Sequence, residues 1–204
     1  MPRSVHRFNT LLSDQPLAIN VTRTLPYPRE RLYDLIADVD SYSQFLPYCQ
    51  HSRVTAWSRP DDTAAAIADP QHRQRRWPVE GELTIGFGPV TQSYTSRIVC
   101  VPGRSVEALS GKDEPEVARK DGEGKNPFKR LVTKWTVEDA PVPRAAGGKP
   151  GEDGEAWTKV DLDLSMRLED PLVQVMLSKV VDESAAKMID AFEQRARQLF
   201  GSAR

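Results

Sequence analysis

The sequence of 204 residues predicts an α+β fold, in which a curved antiparallel sheet of about six to seven strands wraps around one long C-terminal helix. Three observations support this prediction. Apolar and polar residues alternate in successive segments, as in antiparallel strands with one face in water. One or two short helices are indicated after the first strand, and a long amphipathic helix closes the chain. Because one helix can cover the single apolar face of such a sheet, the order predicts a helix-grip arrangement.

The first elements are a strand followed by short helices. Residues 17–25 alternate apolar and polar side chains, which indicates a strand. Pro28 suits the first position of a helix, and apolar residues recur at helical spacing over 32–39. A second, very short helix is predicted over 41–46, and Pro47 ends it.

Further strands and one long helix complete the pattern. Strands are predicted at about 49–57, 79–88, 91–101, 104–110, 128–139 and 157–168. The last helix is predicted to begin with Asp170 as its N-cap and Pro171 as its first residue, and Gly201 ends it. Its predicted apolar face carries Val173, Leu177, Val180, Ser184, Met188, Ala191, Phe192, Arg195 and Leu199.

Composition and motifs exclude several classes of function. With 28 Lys+Arg against 29 Asp+Glu, the net charge of −1 argues against nucleic-acid binding. No apolar run approaches the roughly 18 residues that a membrane-spanning helix needs. The two cysteines, Cys49 and Cys100, cannot by themselves form a disulfide framework or a structural zinc site. Without a phosphate-binding glycine loop, metal-ligand spacing or a nucleophile–base pattern, the sequence predicts binding rather than catalysis, with no cofactor.

Polar segments account for the low hydrophobic fraction of 39%. Residues 59–76, 112–127 and 140–155 hold too few apolar side chains to offset the entropy of ordering them, which predicts mobile loops. These loops interrupt a single predicted domain over 14–204. Residues 1–13 are predicted to be an N-terminal tail, either the remnant of a mitochondrial targeting segment or an ordinary ragged terminus.

Several motifs carry a resemblance to a known family. Within 23–58 lie Tyr27-Pro28, LYDLIADV at 32–39 and the specific element YSQFLPYC at 42–49. LTIGFG at 83–88, YTS at 94–96 and DAFEQR at 190–195 follow. Together they resemble the coenzyme Q-binding proteins of the START-like, polyketide cyclase/dehydrase-like superfamily, over roughly residues 15–200. The long loops look like those of fungal members.

This resemblance implies a function and a location. It implies a START-like domain that binds coenzyme Q (ubiquinone) in a hydrophobic cavity, as a lipid chaperone for the respiratory chain and for quinone biosynthesis. It also implies peripheral contact with the matrix side of the inner mitochondrial membrane, and quinone-synthesis or respiratory complexes as partners. Two alternatives stay open: a ribosome- or complex-associated factor of the same family, and a polyketide cyclase-like enzyme, which needs convergent polar groups in the cavity.

The candidate ligand-binding residues are apolar and aromatic side chains expected to face a tunnel between the sheet and the last helix. Each of them is also explained by ordinary core packing. The set comprises Leu35, Ile36, Phe45, Leu46, Pro47, Tyr48, Phe87, Tyr94, Trp135, Met166, Val173, Leu177, Met188 and Phe192.

Three features of this sequence allow two interpretations each. The segment 45–48 is either a portal that touches the membrane interface or a plug packed on the core. The indole N–H of Trp135 either meets a quinone carbonyl or belongs to a side chain that only fills space. A basic cluster either contacts anionic lipid headgroups or lies in a solvated loop; its members are His72, Arg73, Arg75 and Arg76.

Overall fold

The computed structural model describes residues 5–7, 16–59, 75–87, 90–114, 128–141, 156–169 and 171–201. Within these ranges, the side chains of residues 5–7, 87, 90 and 171–185 fall outside the description. Most of the predicted tail, the predicted N-cap Asp170 and the central parts of the three predicted loops lie outside it as well. The domain limits and the mobility of the loops therefore stay predictions.

In the described part of the chain, eight strands form one antiparallel sheet in the order β1-β2-β8-β7-β6-β5-β4-β3. The seven predicted strands are confirmed, with ends that differ from the predicted ones by at most one residue. The strands are β1 (Val5–Arg7), β2 (Leu17–Leu25), β3 (Cys49–Trp57), β4 (Pro78–Phe87), β5 (Val90–Val101), β6 (Ser105–Ser110), β7 (Phe128–Ala140) and β8 (Trp157–Leu168).

The additional strand, β1, lies within the stretch predicted to be a tail. It pairs with β2, with Val5 opposite Val21 and Arg7 opposite Ile19. An edge strand presents a row of unpaired backbone groups, and β1 covers part of that row on β2. Three residues are too few to show an alternating pattern, so the sequence did not predict this strand.

Among the described residues, three helical segments accompany the sheet: α1 (Arg29–Ala37), a 3-10 helix (Val39–Gln44) and α2 (Pro171–Phe200). Pro28 is the N-cap of α1 rather than its first residue, because its ψ of 140° is extended. Its carbonyl still begins the helix by accepting hydrogen bonds from the N–H groups of Arg31 and Leu32. At the end of α2, Gly201 adopts a φ of +83° and donates to the Arg197 carbonyl, as predicted for a glycine that ends a helix.

The core lies between the inner face of the sheet and the helices. Helix α2 contacts β2 and β8, and α1 contacts β6, β7 and β8. The prediction for α2 was wrong at Leu199, which is 53% exposed. The stripe of α2 that packs into the core runs through Ile189, Phe192, Ala196 and Phe200. Leu199 therefore falls about 100° around the helix from Phe200 and faces away from the sheet.

Candidate functional site

A cavity of about 80 Å³ lies between the inner face of the sheet and the segments that cover it. Strands β4 to β7 form its floor and walls. The 3-10 helix, the segment after it and α2 cover it. Its described lining consists of Val39, Tyr42, Leu46, Leu83, Tyr94, Ser96, Ile98, Val106, Ala108, Ser110, Leu131, Thr133, Trp135 and Met188.

Small side chains on the central strands create this space. On the antiparallel strands β5 and β6, Arg97 pairs with Leu109, so the preceding residue Ser96 lies opposite the following residue Ser110. Ala108 on β6 faces the same cavity. The small side chains of Ser96, Ser110 and Ala108 leave a depression where larger residues on the same face would fill the core.

The floor is also the polar part of the cavity. The hydroxyl oxygens of Ser96 and Ser110 are 2.6 Å apart, and the two residues are only 2% and 1% exposed. We call these two residues the serine pair. Thr133 also lines the cavity, in register with Ala108 on the neighbouring strand. The remaining lining is apolar or aromatic. The cavity therefore combines apolar walls with a few hydroxyl groups at fixed positions.

An aromatic cluster forms the wall beside α2. The ring of Phe192 lies 4.6 Å from the ring of Trp135, 5.4 Å from that of Tyr42 and 5.0 Å from that of Phe45, each in an edge-on arrangement. Tyr42 is held in place because its hydroxyl donates to the Ile36 carbonyl. These contacts join the sheet, the 3-10 helix and α2 into one packed unit.

The segment 45–48 closes the cavity from above. Leu46 is buried and lines it, while Phe45 is half-buried against the aromatic cluster. Tyr48 is the one described non-glycine residue with a positive φ, +65°, and its carbonyl accepts a hydrogen bond from the Gly86 N–H. Such a backbone conformation is costly for tyrosine and is retained where the surroundings impose it.

Two cations of α2 hold this segment against the helix. The Lys187 ammonium donates to the Tyr48 hydroxyl at 3.2 Å. The Arg195 guanidinium lies 5.6 Å from the centre of the Phe45 ring and donates to the Gln44 side chain. In this arrangement Leu46 and Phe45 pack on the core, and the choice between a portal and a plug stays a prediction.

The described lining carries no Asp, Glu, His, Lys or Arg side chain. Its only titratable groups are the phenols of Tyr42 and Tyr94. Burial raises the pKa of both phenols, and both stay protonated at neutral pH. Along these residues the cavity is therefore electrically neutral, which suits an uncharged, apolar guest.

The structure places four of the predicted ligand-binding residues in the cavity lining: Leu46, Tyr94, Trp135 and Met188. Four others pack in the aromatic cluster or the core beside it: Ile36, Phe45, Met166 and Phe192. Pro47 and Tyr48 lie half-buried in the covering segment. The side chains of Phe87, Val173 and Leu177 fall outside the description.

Leu35 faces a different site, a surface groove of about 410 Å³ formed by α1, the start of β4 and the end of α2. In this groove the Arg75 guanidinium pairs with Asp34 at 2.7 Å and lies 4.3 Å from the centre of the Trp77 ring. Arg76 donates to the Ser58 carbonyl. Arg75 and Arg76, two members of the predicted basic cluster, are therefore engaged in contacts within the domain. Residues 72 and 73 lie outside the description.

Sequence reasoning missed the floor of the cavity because it searched for large apolar side chains. The missed lining residues include Ser96, Ala108, Ser110 and Thr133. A signal was present, because small residues at inward-facing positions of central strands leave room in a core that is otherwise close-packed.

Within the described part of the chain, no group of three or more His, Cys, Asp or Glu side chains is placed to hold a metal ion. The described helices also include none that is long and apolar enough to cross a bilayer.

Comparisons with known proteins agree with this architecture. The ribosome association toxin RatA of Pseudomonas aeruginosa is 32% identical over 177 residues, which cover 87% of this chain and 93% of that protein. The mitochondrial coenzyme Q-binding protein coq10 of Schizosaccharomyces pombe is 29% identical over 177 residues, covering 86% and 84% of the two chains. A START superfamily protein from Mycobacterium smegmatis shares the fold with a TM-score of 0.61 at 14% identity, over 89% of this chain and 98% of that chain.

The family described as polyketide cyclase/dehydrase and lipid transport matches residues 25–193, which include α1, the 3-10 helix, the floor strands and most of α2. The predicted resemblance and the predicted START-like fold are confirmed, whereas a fungal origin stays a prediction. The chain belongs to the polyketide cyclase/dehydrase and lipid transport family.

Proposed function

We propose that the protein binds coenzyme Q in the cavity between β4–β7 and α2, and carries it without chemical change. The observation that carries this proposal is the neutral cavity itself, whose apolar walls end on buried hydroxyl groups. An isoprenoid quinone has the matching chemistry, with a long apolar tail and a ring that bears oxygen acceptors. The 29% sequence identity to a coenzyme Q-binding protein, over most of both chains, adds support.

Loading requires the closed cavity to widen. Its volume of about 80 Å³ is well below the roughly 300–1,000 Å³ of typical small-molecule pockets. Leu46 and Met188 both line the cavity from the covering side. Methionine adapts its shape readily, and the covering segment is held to α2 by contacts at the protein surface. We therefore propose that the covering segment and α2 move apart when the guest enters.

The experiment that tests this function is mass spectrometry of lipids extracted from protein that was purified without detergent. We expect coenzyme Q to be recovered from the wild-type protein. In Ala108→Leu, three added carbon atoms occupy the floor, so recovery is expected to fall by about tenfold or more. Because those atoms enter existing space, the free energy of unfolding is expected to change by less than about 1.5 kcal/mol.

Val99→Leu is the matched control, because Val99 lies exposed on β5 and points away from the cavity. It is expected to retain the quinone at the wild-type level. Failure to recover quinone from the wild-type protein would overturn the proposed function. Equal recovery from wild type and Ala108→Leu would place the quinone elsewhere on the protein.

We further propose that the covering segment contacts a membrane when it opens. Phe45 and Leu46 would then expose apolar area at the bilayer interface, beside the cations Lys187 and Arg195, which anionic lipids attract. This mode of contact matches a protein bound peripherally at the matrix side of the inner mitochondrial membrane. It also suits a lipid chaperone that delivers quinone to respiratory or quinone-synthesis complexes.

The double substitution Phe45→Ser and Leu46→Ser is expected to weaken binding to cardiolipin-containing liposomes by roughly tenfold, measured by flotation. The control is Phe200→Ser, which removes an aromatic ring packed on Tyr27 at the far end of α2. Its binding is expected to stay at the wild-type level. An equal loss in both variants would mean that general loosening, rather than membrane contact through Phe45 and Leu46, lowers the binding.

A second candidate function is association with ribosomes, which the 32% identity to a ribosome association toxin favours. It requires an exposed binding surface and makes no demand on the cavity. Sedimentation of the protein with ribosomal subunits through a sucrose gradient separates the two functions. Co-migration with the subunits that is unaffected by Ala108→Leu would support ribosome association. A quinone carrier is instead expected to stay at the top of the gradient.

A further inference from the structure

The serine pair is the most deeply buried polar feature of the cavity. Ser96 and Ser110 lie on β5 and β6, two central strands of the sheet, and both side chains face the cavity. Their neighbours in the lining are mostly apolar, among them Ile98, Val106 and Leu131. Burying hydroxyl groups in such surroundings is unfavourable unless their hydrogen bonds are made.

One hydrogen bond satisfies only part of this pair. Each serine hydroxyl has one hydrogen to donate and two lone pairs that accept. In the bond between Ser96 and Ser110, one hydroxyl donates and the other accepts, which leaves the hydrogen of the acceptor hydroxyl unused. Among the described residues, neither hydroxyl makes another side-chain hydrogen bond. The pair therefore has one O–H group left for whatever occupies the cavity.

This donor is rigidly positioned. Both serines belong to continuous ladders, with Ser96 opposite Gly81 and Ser110 opposite Leu131. The covering side of the cavity, in contrast, presents Leu46 and Met188. A guest with one polar end and one apolar end has its best contacts when the polar end lies on the floor and the apolar end lies toward the cover.

We propose that the serine pair anchors the quinone ring by donating a hydrogen bond to one ring carbonyl oxygen, so that the ring enters first and the isoprenoid tail leaves under the covering segment. This inference rests on the proposed function and adds the orientation of the guest. Either hydroxyl can donate to the guest, because the hydrogen bond between the two serines can run in either direction. The site therefore tolerates the loss of one serine and fails when both are lost.

Binding of two probes tests the anchor, with tryptophan fluorescence as the readout. The probes are decylubiquinone, which has ring carbonyls, and decylbenzene, which has none. Ser96→Ala and Ser110→Ala are expected to keep most of the affinity for decylubiquinone, and the double variant is expected to lose roughly tenfold. Affinity for decylbenzene is expected to stay the same in all variants.

The sheet provides a matched control in a second hydroxyl pair. Ser93 on β5 is exposed, and its hydroxyl oxygen lies 2.8 Å from that of the half-buried Thr84 on β4. Ser93→Ala is expected to change neither affinity. Thermal unfolding of each variant shows that it is folded.

The outcomes separate the anchor from the proposed function. Wild-type protein that does not bind decylubiquinone would overturn both. Binding of decylubiquinone that is equal in wild type and the double variant would overturn the anchor alone. A parallel loss of both probes in the double variant would also overturn it, because damage to the cavity would then explain the loss.

Discussion

Phe192→Ala is expected to lower the free energy of unfolding by about 3–5 kcal/mol. Phe192 is only 4% exposed and packs against Tyr42, Phe45 and Trp135. Its removal would leave a void where the sheet, the 3-10 helix and α2 meet. The elements are fixed by their own hydrogen bonds, so they cannot collapse fully into that void. Equilibrium denaturation with urea measures this loss.

Leu199→Ala is the control on the same helix. Leu199 is largely exposed, and its truncation is expected to cost less than about 0.5 kcal/mol. If the two substitutions destabilised the protein equally, the assignment of the buried face of α2 would be wrong. That comparison matters because the sequence pattern alone had placed both residues on one face.

Gly111→Ala is expected to cost about 2–4 kcal/mol, the second large effect. Gly111 follows β6 with a φ of +112°, which side-chain-bearing residues rarely adopt. A Cβ atom there would lie 2.5 Å from the Lys129 carbonyl oxygen and 2.8 Å from the Arg130 Cα. Both atoms belong to the backbone of β7, so the clash is relieved only by moving the strand.

Gly103→Ala separates the clash from the backbone conformation. Gly103 also has a positive φ, +66°, yet an added Cβ meets nothing within 4 Å. It is expected to cost about 1 kcal/mol, from the backbone alone. Thermal or urea unfolding of both variants gives the comparison. A similar loss at the two positions would show that close approach of β7 contributes nothing at Gly111.

The sequence predicted the elements well because their signals are local. The alternation over β8 and the glycine that ends α2 depend on near neighbours, and both are confirmed. The face of α2 was harder to predict. Helical spacing of three or four residues from Phe192 allows either Leu199 or Phe200 on the buried face. Packing against the sheet decides that Phe200 is the buried one. Such a choice is a tertiary effect that periodicity does not contain.

The candidate site was predicted only in part, for a related reason. Large residues such as Trp135 and Met188 stand out in a sequence as candidate walls, and the structure places both in the lining. The serine pair becomes apparent only when the register of β5 and β6 brings Ser96 and Ser110 to opposite positions. The +65° φ of Tyr48 likewise depends on the hydrogen bond with Gly86 on a neighbouring strand.

The small residues on the floor of the cavity also have an energetic consequence. A cavity of about 80 Å³ inside a packed core costs about 2 kcal/mol of stability relative to a core filled by side chains, at roughly 24 cal/mol for each cubic ångström. In the proposed function, a bound quinone would fill this space and supply the interior contacts that the small side chains of the floor do not make.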